Sequence, residues 1–314
     1  MESISRDFTI DLRKLRLLSE LDRRGTLAAT AAAMHLTPSA VSQQVAGLSR
    51  ELGVPLLEHH GRGVSLTGQA LLLLTHADAV QEQLERARAA LDAWSTGTVG
   101  RVRVASLSTG ISALVAPAMT RLRRERPELQ VTVSEYDADD AIARLDNREV
   151  DVVVAVDFIG APSRQDSRYH RVDLITDVMD AVLPIGHPLA DPAGIKLIDL
   201  ADEVWVGGEV DVACSQIAVG VCAAAGFTAD IRHHCAEWDA VAALVAAGAG
   251  VALVPRLAQP LRQEGIVVCP VLGQPASRLL MALARAGGQA DPGIAAMLAA
   301  LRAVAADRPD GVIS

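Results

Sequence analysis

Short polar side chains follow a helix-start signal near residue 37. Thr37 can cap a helix that begins at Pro38, a residue favoured at the first helical position. Ser39, Ser42 and Gln43 then share the face opposite an apolar stripe with helical spacing. Hydroxyl and amide groups at the start of such a helix can hydrogen-bond to base edges in the DNA major groove. We therefore predict DNA contacts at Thr37, Pro38, Ser39, Ser42 and Gln43.

A cationic side chain in a predicted hairpin adds to this DNA-binding region. Residues 57–66 can form a β-wing that turns at Gly61-Arg62-Gly63, so Arg62 is expected to reach phosphate or the minor groove. Residues 12–66 carry seven Arg and Lys against four Asp and Glu, a balance of +3, whereas the whole chain carries −9. A mildly basic segment on an acidic body favours specific over non-specific DNA binding.

A second group of polar residues follows a predicted strand at Val99–Ala105. Ser106, Ser108 and Thr109 lie at its carboxyl end, where open α/β sheets bind ligands. Their hydroxyls and the nearby backbone N–H groups could hold a carboxylate or another polar group. Helix capping without any ligand is the structural alternative.

The matching strand end of a second βα unit precedes residues 207–215, which include Glu209 and Cys214. Asp157, at the end of a buried strand, could complete the same cleft, as could the helix start at Trp238-Asp239. These segments carry several carboxylates and no obvious arginine, which argues weakly against a simple dicarboxylate ligand. The alternative is that the acids simply face solvent.

Catalytic and metal-binding motifs are absent from the sequence. No G-x-S-x-G, H-E-x-x-H or P-loop pattern occurs, so we predict no catalytic residue, no cofactor and no enzymatic activity. The four cysteines form no C-x-x-C pair. His233, His234 and Cys235 are adjacent, and alternate residues of a strand point to opposite faces, so we expect no metal site there.

Length and hydropathy suggest about two domains without a membrane span. The chain has 314 residues. Its apolar runs are shorter than the ~18 residues that a transmembrane helix requires. The acidic N-terminus has no apolar signal core, and we expect a cytoplasmic protein.

A long helix from Thr67 to about Trp94 separates the DNA-binding segment from alternating βα units. Its predicted apolar stripe favours pairing with the same helix of a second subunit, with packing on the chain's own body as the alternative. Ser95–Thr98 is a predicted hinge. The alternating βα units that follow it predict a sheet of parallel strands with helices on both faces. The stripe comprises Leu71, Leu74, Ala77, Leu84, Ala87 and Leu91.

The segments discussed above resemble the winged helix-turn-helix of LysR-type transcriptional regulators. The resemblance rests on Thr-Pro-Ser-Ala-Val-Ser-Gln-Gln-Val from Thr37, Leu-Gly-Val-Pro-Leu from Leu52 and Gly-Arg-x-Val-x-Leu-Thr from Gly61. Three positions depart from the usual pattern: His59 replaces an Arg, Gly68-Gln69-Ala70 replaces Pro-x-Gly, and Ser49 replaces a common Glu.

The resemblance implies an α/β chain with an N-terminal winged helix-turn-helix and a two-lobed effector domain, similar to type 2 periplasmic binding proteins. The expected divisions are residues 1–66 for DNA binding, 67–95 for the linker and dimerisation helix, and 96–314 for the effector domain. Lobe one would take about 96–160 and 266–314, and lobe two about 161–265.

These observations together predict a transcriptional regulator whose DNA binding is modulated by a small-molecule effector. Its expected partners are double-stranded DNA, the effector and a second copy of the chain, as a homodimer through the linker helix or a homotetramer. Two other functions stay open: a metabolite-binding protein without regulatory activity, and an enzyme fused to a DNA-binding head.

Overall fold

The computed structural model describes residues 11–60, 63–96, 100–208, 213–259, 263–273 and 276–308. The chain divides into two compact units, Met1–Leu84 and Glu85–Ser314. Among the described helices, none combines the length and apolar character that a membrane crossing requires.

The first unit is a helical domain with a two-stranded wing. Its elements are α1 (Leu12–Arg24), α2 (Leu27–Ala33), α3 (Pro38–Leu52), β1 (Leu57–His60) and β2 (Gly63–Leu66), followed by the start of α4 (Gly68–Thr96). The Asp11, Thr26 and Thr37 side chains accept hydrogen bonds from the first turns of α1, α2 and α3. Gly25 and Gly53 end α1 and α3 in the left-handed conformation, as glycine allows.

Apolar side chains of α1, α3 and early α4 form one core in this unit. Two hydroxyls fix the wing to it. Ser49 Oγ accepts a bond from the Leu56 N–H at 3.2 Å. Thr67 Oγ1 donates to the Pro55 carbonyl at 2.7 Å and accepts from the Ala70 N–H at 3.1 Å, which caps α4. Ser49 thus has a structural role in this unit.

The apolar residues of α4 divide between two environments. Leu74 is only 8% exposed and packs in the core of the first unit. The sequence predicted that Leu74 is exposed in a single chain. That prediction was wrong, because the turn of α4 that carries Leu74 packs against the core of the first unit. Large apolar side chains elsewhere on α4 are exposed: Leu71, Leu72, Val80, Leu84 and Leu91.

The second unit contains two lobes built on a mixed sheet. Lobe one has β3 (Arg101–Ser106), β4 (Gln130–Glu135) and β5 (Val152–Val156), with β3 parallel to both of its neighbours. Its helical segments are α5 (Ser108–Gly110), a π-helical turn (Ile111–Val115), α6 (Ala116–Glu125), α7 (Ala138–Asp146) and α10 (Pro292–Ala306). All-apolar β5 is buried throughout, as expected for a central strand.

Two long strands join lobe one to lobe two. β6 (Tyr169–Pro184) and β13 (Ser277–Arg285) pair antiparallel, and β13 also pairs with β5. Two separate strands were predicted within residues 172–185. One continuous strand forms instead, because its first half pairs with β13 and its second half pairs with two strands of lobe two, β10 (Ala252–Pro255) and β11 (Ile266–Cys269).

Lobe two has its own core around Trp205 and the second half of β6. Its remaining strands form two small parallel pairs, and Cys269 of β11 packs in the same core. The remaining described elements of lobe two are β7 (Ile195–Lys196), β8 (Val204–Gly207), α8 (Ala213–Ala224), β9 (Asp230–His234), α9 (Trp238–Ala246) and β12 (Val271–Leu272). Single 3-10 turns cover Leu197–Leu200, Arg256–Ala258 and Gly288–Ala290.

Candidate functional site

The start of α3 presents the polar face that the sequence predicts. Thr37 Oγ1 accepts from the Ala40 N–H at 3.2 Å and lies 3.0 Å from Ser39 Oγ. Pro38, Ser39 and Gln43 are exposed, and Ser42 is half-buried. The opposite face is anchored by residues at most 9% exposed: Val41, Val45, Leu48 and Leu52. The helix is thus held by one face while the other is open to a partner.

The wing contributes strands β1 and β2 around the predicted tip. Arg62 itself lies outside the described residues, so its DNA contact stays a prediction. The same holds for the side chain of His59.

The second unit contains a cavity of about 410 Å³ between its lobes. Lobe one contributes Leu107, Ser108 and residues 135–137 from the ends of β3 and β4. Lobe two contributes residues 205–208 and the first turns of α8 and α9. The volume falls within the range typical of small-molecule sites.

The predicted residues Ser106, Ser108 and Thr109 lie in three different environments, and only Ser108 is among the described residues that line the cavity. Ser106 is fully buried, and its hydroxyl donates to the Leu107 carbonyl at 3.2 Å. A Cβ on Gly110 would lie 2.3 Å from Ser106 Oγ, so only glycine fits where this helical turn approaches the strand. The π-helical turn that follows is of a kind often found at functional sites.

Thr109 is turned away from solvent and bonded to an arginine that sequence reasoning missed. Its hydroxyl accepts from Arg278 Nη2 at 2.9 Å. The same guanidinium donates from Nη1 to Cys214 Sγ at 3.3 Å and from Nε to Asp177 at 2.9 Å. The segments that the sequence analysis considered contain no obvious arginine, and Arg278 comes from a strand outside them. Arg278 is 64 residues beyond Cys214 in sequence, so only the pairing of β13 with β6 brings it here.

The Arg278–Asp177 pair is almost inaccessible to solvent, with each side chain 1% exposed. The Leu257 N–H also donates to Asp177, at 3.0 Å. Burial raises the pKa of the Asp177 carboxyl, and its two donors offset part of that effect. The cation and the anion compensate each other, so the pair ties the two long strands to Thr109 and α8.

The lobe-two wall contains one buried hydroxyl without a hydrogen-bond partner among the described residues. Ser215 is 5% exposed and lines the cavity, and its Oγ is unsatisfied. A Cβ on Gly208 would come within 2.4 Å of this oxygen. Cys214 lines the cavity beside it, whereas Glu209 lies outside the described residues. A buried hydroxyl without a protein partner can hydrogen-bond to an ordered water or to a bound molecule.

Asp157 lines a separate cavity of about 620 Å³ rather than the one at Ser108. Its carboxylate pairs with Arg171 at 2.7 Å, and its N–H donates to the Leu279 carbonyl at 2.7 Å. These contacts hold the end of β5 against β13. They do not bring Asp157 together with Ser108 or Cys214.

Three carboxylates at the edge of the inter-lobe cavity were not predicted: Glu135, Asp137 and Glu237. Glu135 is the last residue of β4, Asp137 follows that strand, and Glu237 precedes α9. The rule that parallel strands deliver ligand-binding residues at their carboxyl ends applies to β4 as it does to β3. Applied to both strands, it would have found Glu135 and Asp137.

Comparisons with known proteins agree with both parts of this architecture. The model for the bacterial regulatory helix-turn-helix protein of the lysR family matches residues 12–71. The LysR substrate binding domain matches residues 95–306, more than half of the chain. The chain belongs to the LysR family. As a LysR-type protein it is a DNA-binding transcriptional regulator with an effector-binding domain and not an enzyme.

LysR-family relatives match over most of their length. The transcriptional dual regulator GltC of Bacillus subtilis (strain 168) is 27% identical over 246 residues, 78% of this chain and 81% of GltC. The dual regulator OxyR of Escherichia coli (strain K12) is 25% identical over 265 residues, 84% of this chain and 85% of OxyR. The crystal structure of full-length CbnR complexed with its target DNA has the same fold, with a TM-score of 0.56, 22% identity, and 94% of this chain and 100% of CbnR covered.

Proposed function

We propose that this regulator reads DNA with the start of α3 and the wing, pairs through α4, and binds its effector in the inter-lobe cavity. The divisions that we propose are those expected from the sequence, with 1–66 binding DNA, 67–95 pairing the subunits and 96–314 binding the effector. As a regulator of bacterial genes, it would work in the cytoplasm.

The observation that carries the DNA-binding proposal is the division of α3 into two faces. Its apolar side is fixed in the core, while Ser39 and Gln43 are exposed. No hydrogen bond of the Gln43 amide occurs within the described residues. A rigid helix that presents a free amide suits bidentate contact with a base edge.

Dimerisation is supported by the exposed apolar side chains of α4. Leu72, Val80 and Leu84 are 63%, 45% and 41% exposed in a single chain. Large apolar residues that recur along one helix are most stable when a second helix covers them. A dimer also doubles the DNA contact, which a single small head would make weakly.

The effector proposal depends on a cavity that receives walls from both lobes. A ligand that contacts Ser108 in lobe one and Ser215 in lobe two binds the closed arrangement more strongly than an open one. That difference in affinity is the free energy available to change the spacing of two DNA-binding heads. A metabolite-binding protein without regulation would have no need of the exposed polar face on α3.

The dimer is tested with Leu84→Asp, and Gln83→Asp serves as the charge-matched control on the same helix. We expect the Leu84 variant to sediment as a monomer and to lose binding to a duplex with two half-sites. The Gln83 variant should stay dimeric. A wild-type chain that sediments as a monomer at micromolar concentration would contradict the proposal.

A further inference from the structure

The electrostatic character of the inter-lobe cavity identifies the class of ligand that it accepts. Among the described residues that line it, none is Lys, Arg or His, whereas Glu135, Asp137 and Glu237 are carboxylates. All three are exposed at the cavity edge, and none has a side-chain ion pair or hydrogen bond within the described part of the chain. They come from both lobes.

Other carboxylates of the same domain are paired with arginine. Arg103 donates two side-chain hydrogen bonds to Asp151, and Arg256 donates two to Asp180. Arg171 donates one to Asp173. The unpaired acids at the cavity edge contrast with these three arginine-paired acids. They leave negative charge that no described residue of the chain neutralises.

The N-termini of helices near the cavity contribute positive charge, which opposes the negative charge of the carboxylates. The two charges can be compared in magnitude. The N-terminus of a helix carries about half a positive charge. Asp137 and Glu237 are the N-cap residues of α7 and α9, and neither side chain bonds to its own helix. The starts of α7 and α9 thus each have a full negative charge beside them, so this part of the cavity edge stays negative.

Arg278 does not reverse this balance, because it is not among the residues that line the cavity and Asp177 matches its charge. Three of its five N–H groups donate to Asp177, Thr109 and Cys214. A ligand carboxylate would have to compete with Asp177 for a guanidinium that is 1% exposed.

Apolar and aromatic side chains form much of the cavity wall, together with the hydroxyl groups of Ser108 and Ser215. Trp205, Trp238, Ile231 and Leu253 form the wall, and the unpartnered Ser215 hydroxyl lies among them. Indole rings attract cations over their faces as well as burying apolar groups. The buried hydroxyl is independent of the acidic edge, and it offers a hydrogen bond to a bound molecule.

We infer that the effector carries a positively charged nitrogen on an apolar body, as in an alkyl- or arylammonium compound. The apolar part packs against the two tryptophans, and the ammonium group lies among the three carboxylates. This inference rests on the proposed effector site. A cation between acids of opposite lobes relieves their repulsion, and so favours closure of the cleft.

Cys235 lines the same cavity. The rate at which its thiol reacts with charged reagents measures the electrostatic potential of the cavity, and the natural ligand need not be known. The full-length protein is treated with a methanethiosulfonate bearing trimethylammonium and with one bearing sulfonate. Labelling at Cys235 is followed by mass spectrometry, and each rate is divided by the rate with 2-mercaptoethanol. We expect the cationic reagent to be favoured by roughly tenfold or more. A ratio of one or below overturns the inference.

Two variants of equal net charge show whether the cavity acids cause this preference. Combined Glu135→Gln, Asp137→Asn and Glu237→Gln should bring the ratio close to one. Combined Asp199→Asn, Asp202→Asn and Glu264→Gln changes exposed acids outside the lining and should leave it high. Equal effects of the two combinations would assign the preference to overall charge and overturn the inference.

In a second experiment, we measure how far a bound compound protects Cys235 from the uncharged methyl methanethiosulfonate. We expect 2-phenylethylamine to protect more than 3-phenylpropionate at the same concentration. Equal protection, including none by either compound, overturns the inference. Sequence-specific DNA binding is measured on the same preparation. Its absence would refute the proposed function, whereas its presence with an unselective cavity would refute only the ligand class.

Discussion

Replacement of Arg278 by Met should destabilise the effector domain more than any surface arginine change. The substitution keeps much of the apolar stem and removes a guanidinium that is 1% exposed. It leaves the Asp177 carboxylate buried with only the Leu257 N–H as donor, and it removes the donors to Thr109 and Cys214. Removing one partner of a buried ion pair costs about 3–5 kcal/mol.

Thermal unfolding of the full-length chain, followed by tryptophan fluorescence, measures this cost. Trp205 and Trp238 lie in lobe two, so the signal reports the affected domain. At about 2–4 °C per kcal/mol for a domain of this size, Tm should fall by roughly 6–20 °C. Asp177→Asn combined with Arg278→Met should recover part of the loss, because no unpaired charge then stays buried.

Arg232→Met is the matched control, since its pair with Asp230 is exposed on both sides. We expect no measurable change in Tm for this variant. A fall of less than about 2 °C for Arg278→Met, which corresponds to at most 1 kcal/mol, would refute the reasoning from burial.

Three further predictions follow from individual residues. Arg62→Ala should weaken DNA binding and flatten its salt dependence by about one unit of slope, and unchanged values would remove Arg62 from the interface. Burial raises the pKa of Asp151, but bonds from Arg103 and the Arg285 charge outweigh it and hold that pKa below its usual value. The contribution of ionised Asp151 to stability is present above about pH 4 and is lost as the pH falls below that value. Asp151→Asn should therefore lower the free energy of unfolding by about 1–3 kcal/mol at pH 7 and by progressively less towards pH 3, as measured by urea titration. Gly110→Ala should destabilise by about 1–3 kcal/mol through contact with Ser106 Oγ, whereas Gly47→Ala, with open space around it, should stabilise by about 0.5–1 kcal/mol; equal Tm values would contradict both.

The sequence predicted those elements whose signals are local. Thr37 and Pro38 mark the start of α3, and Gly53 marks its end, because caps and left-handed glycines act within a few residues. The strand at Gln130–Glu135 was predicted with its observed bounds. Ser108 was predicted as a site residue from strand-end geometry and lines the cavity, and its contact with an effector stays a prediction.

Features that depend on distant pairing were not predictable in the same way. β6 continues without a break to Pro184 because different strands pair with its two halves. No local sequence pattern predicts that change of pairing partner. Leu74 has the spacing of an exposed stripe, yet the core of α1 and α3 covers it. Arg278 lies within an otherwise apolar strand pattern, and only tertiary contact with Asp177 and Thr109 shows its role.

We propose that α3 reads base sequence, and one binding measurement tests this proposal most directly. A preferred duplex is selected from a random pool with the wild-type chain, and its affinity is compared with that of a scrambled duplex at fixed salt. We expect the wild type to prefer the selected site by about 10³-fold or more. Gln43→Ala should lose ~1–3 kcal/mol on the selected site and much less on the scrambled one. Equal losses on the two duplexes, or no preference in the wild type, would contradict the account.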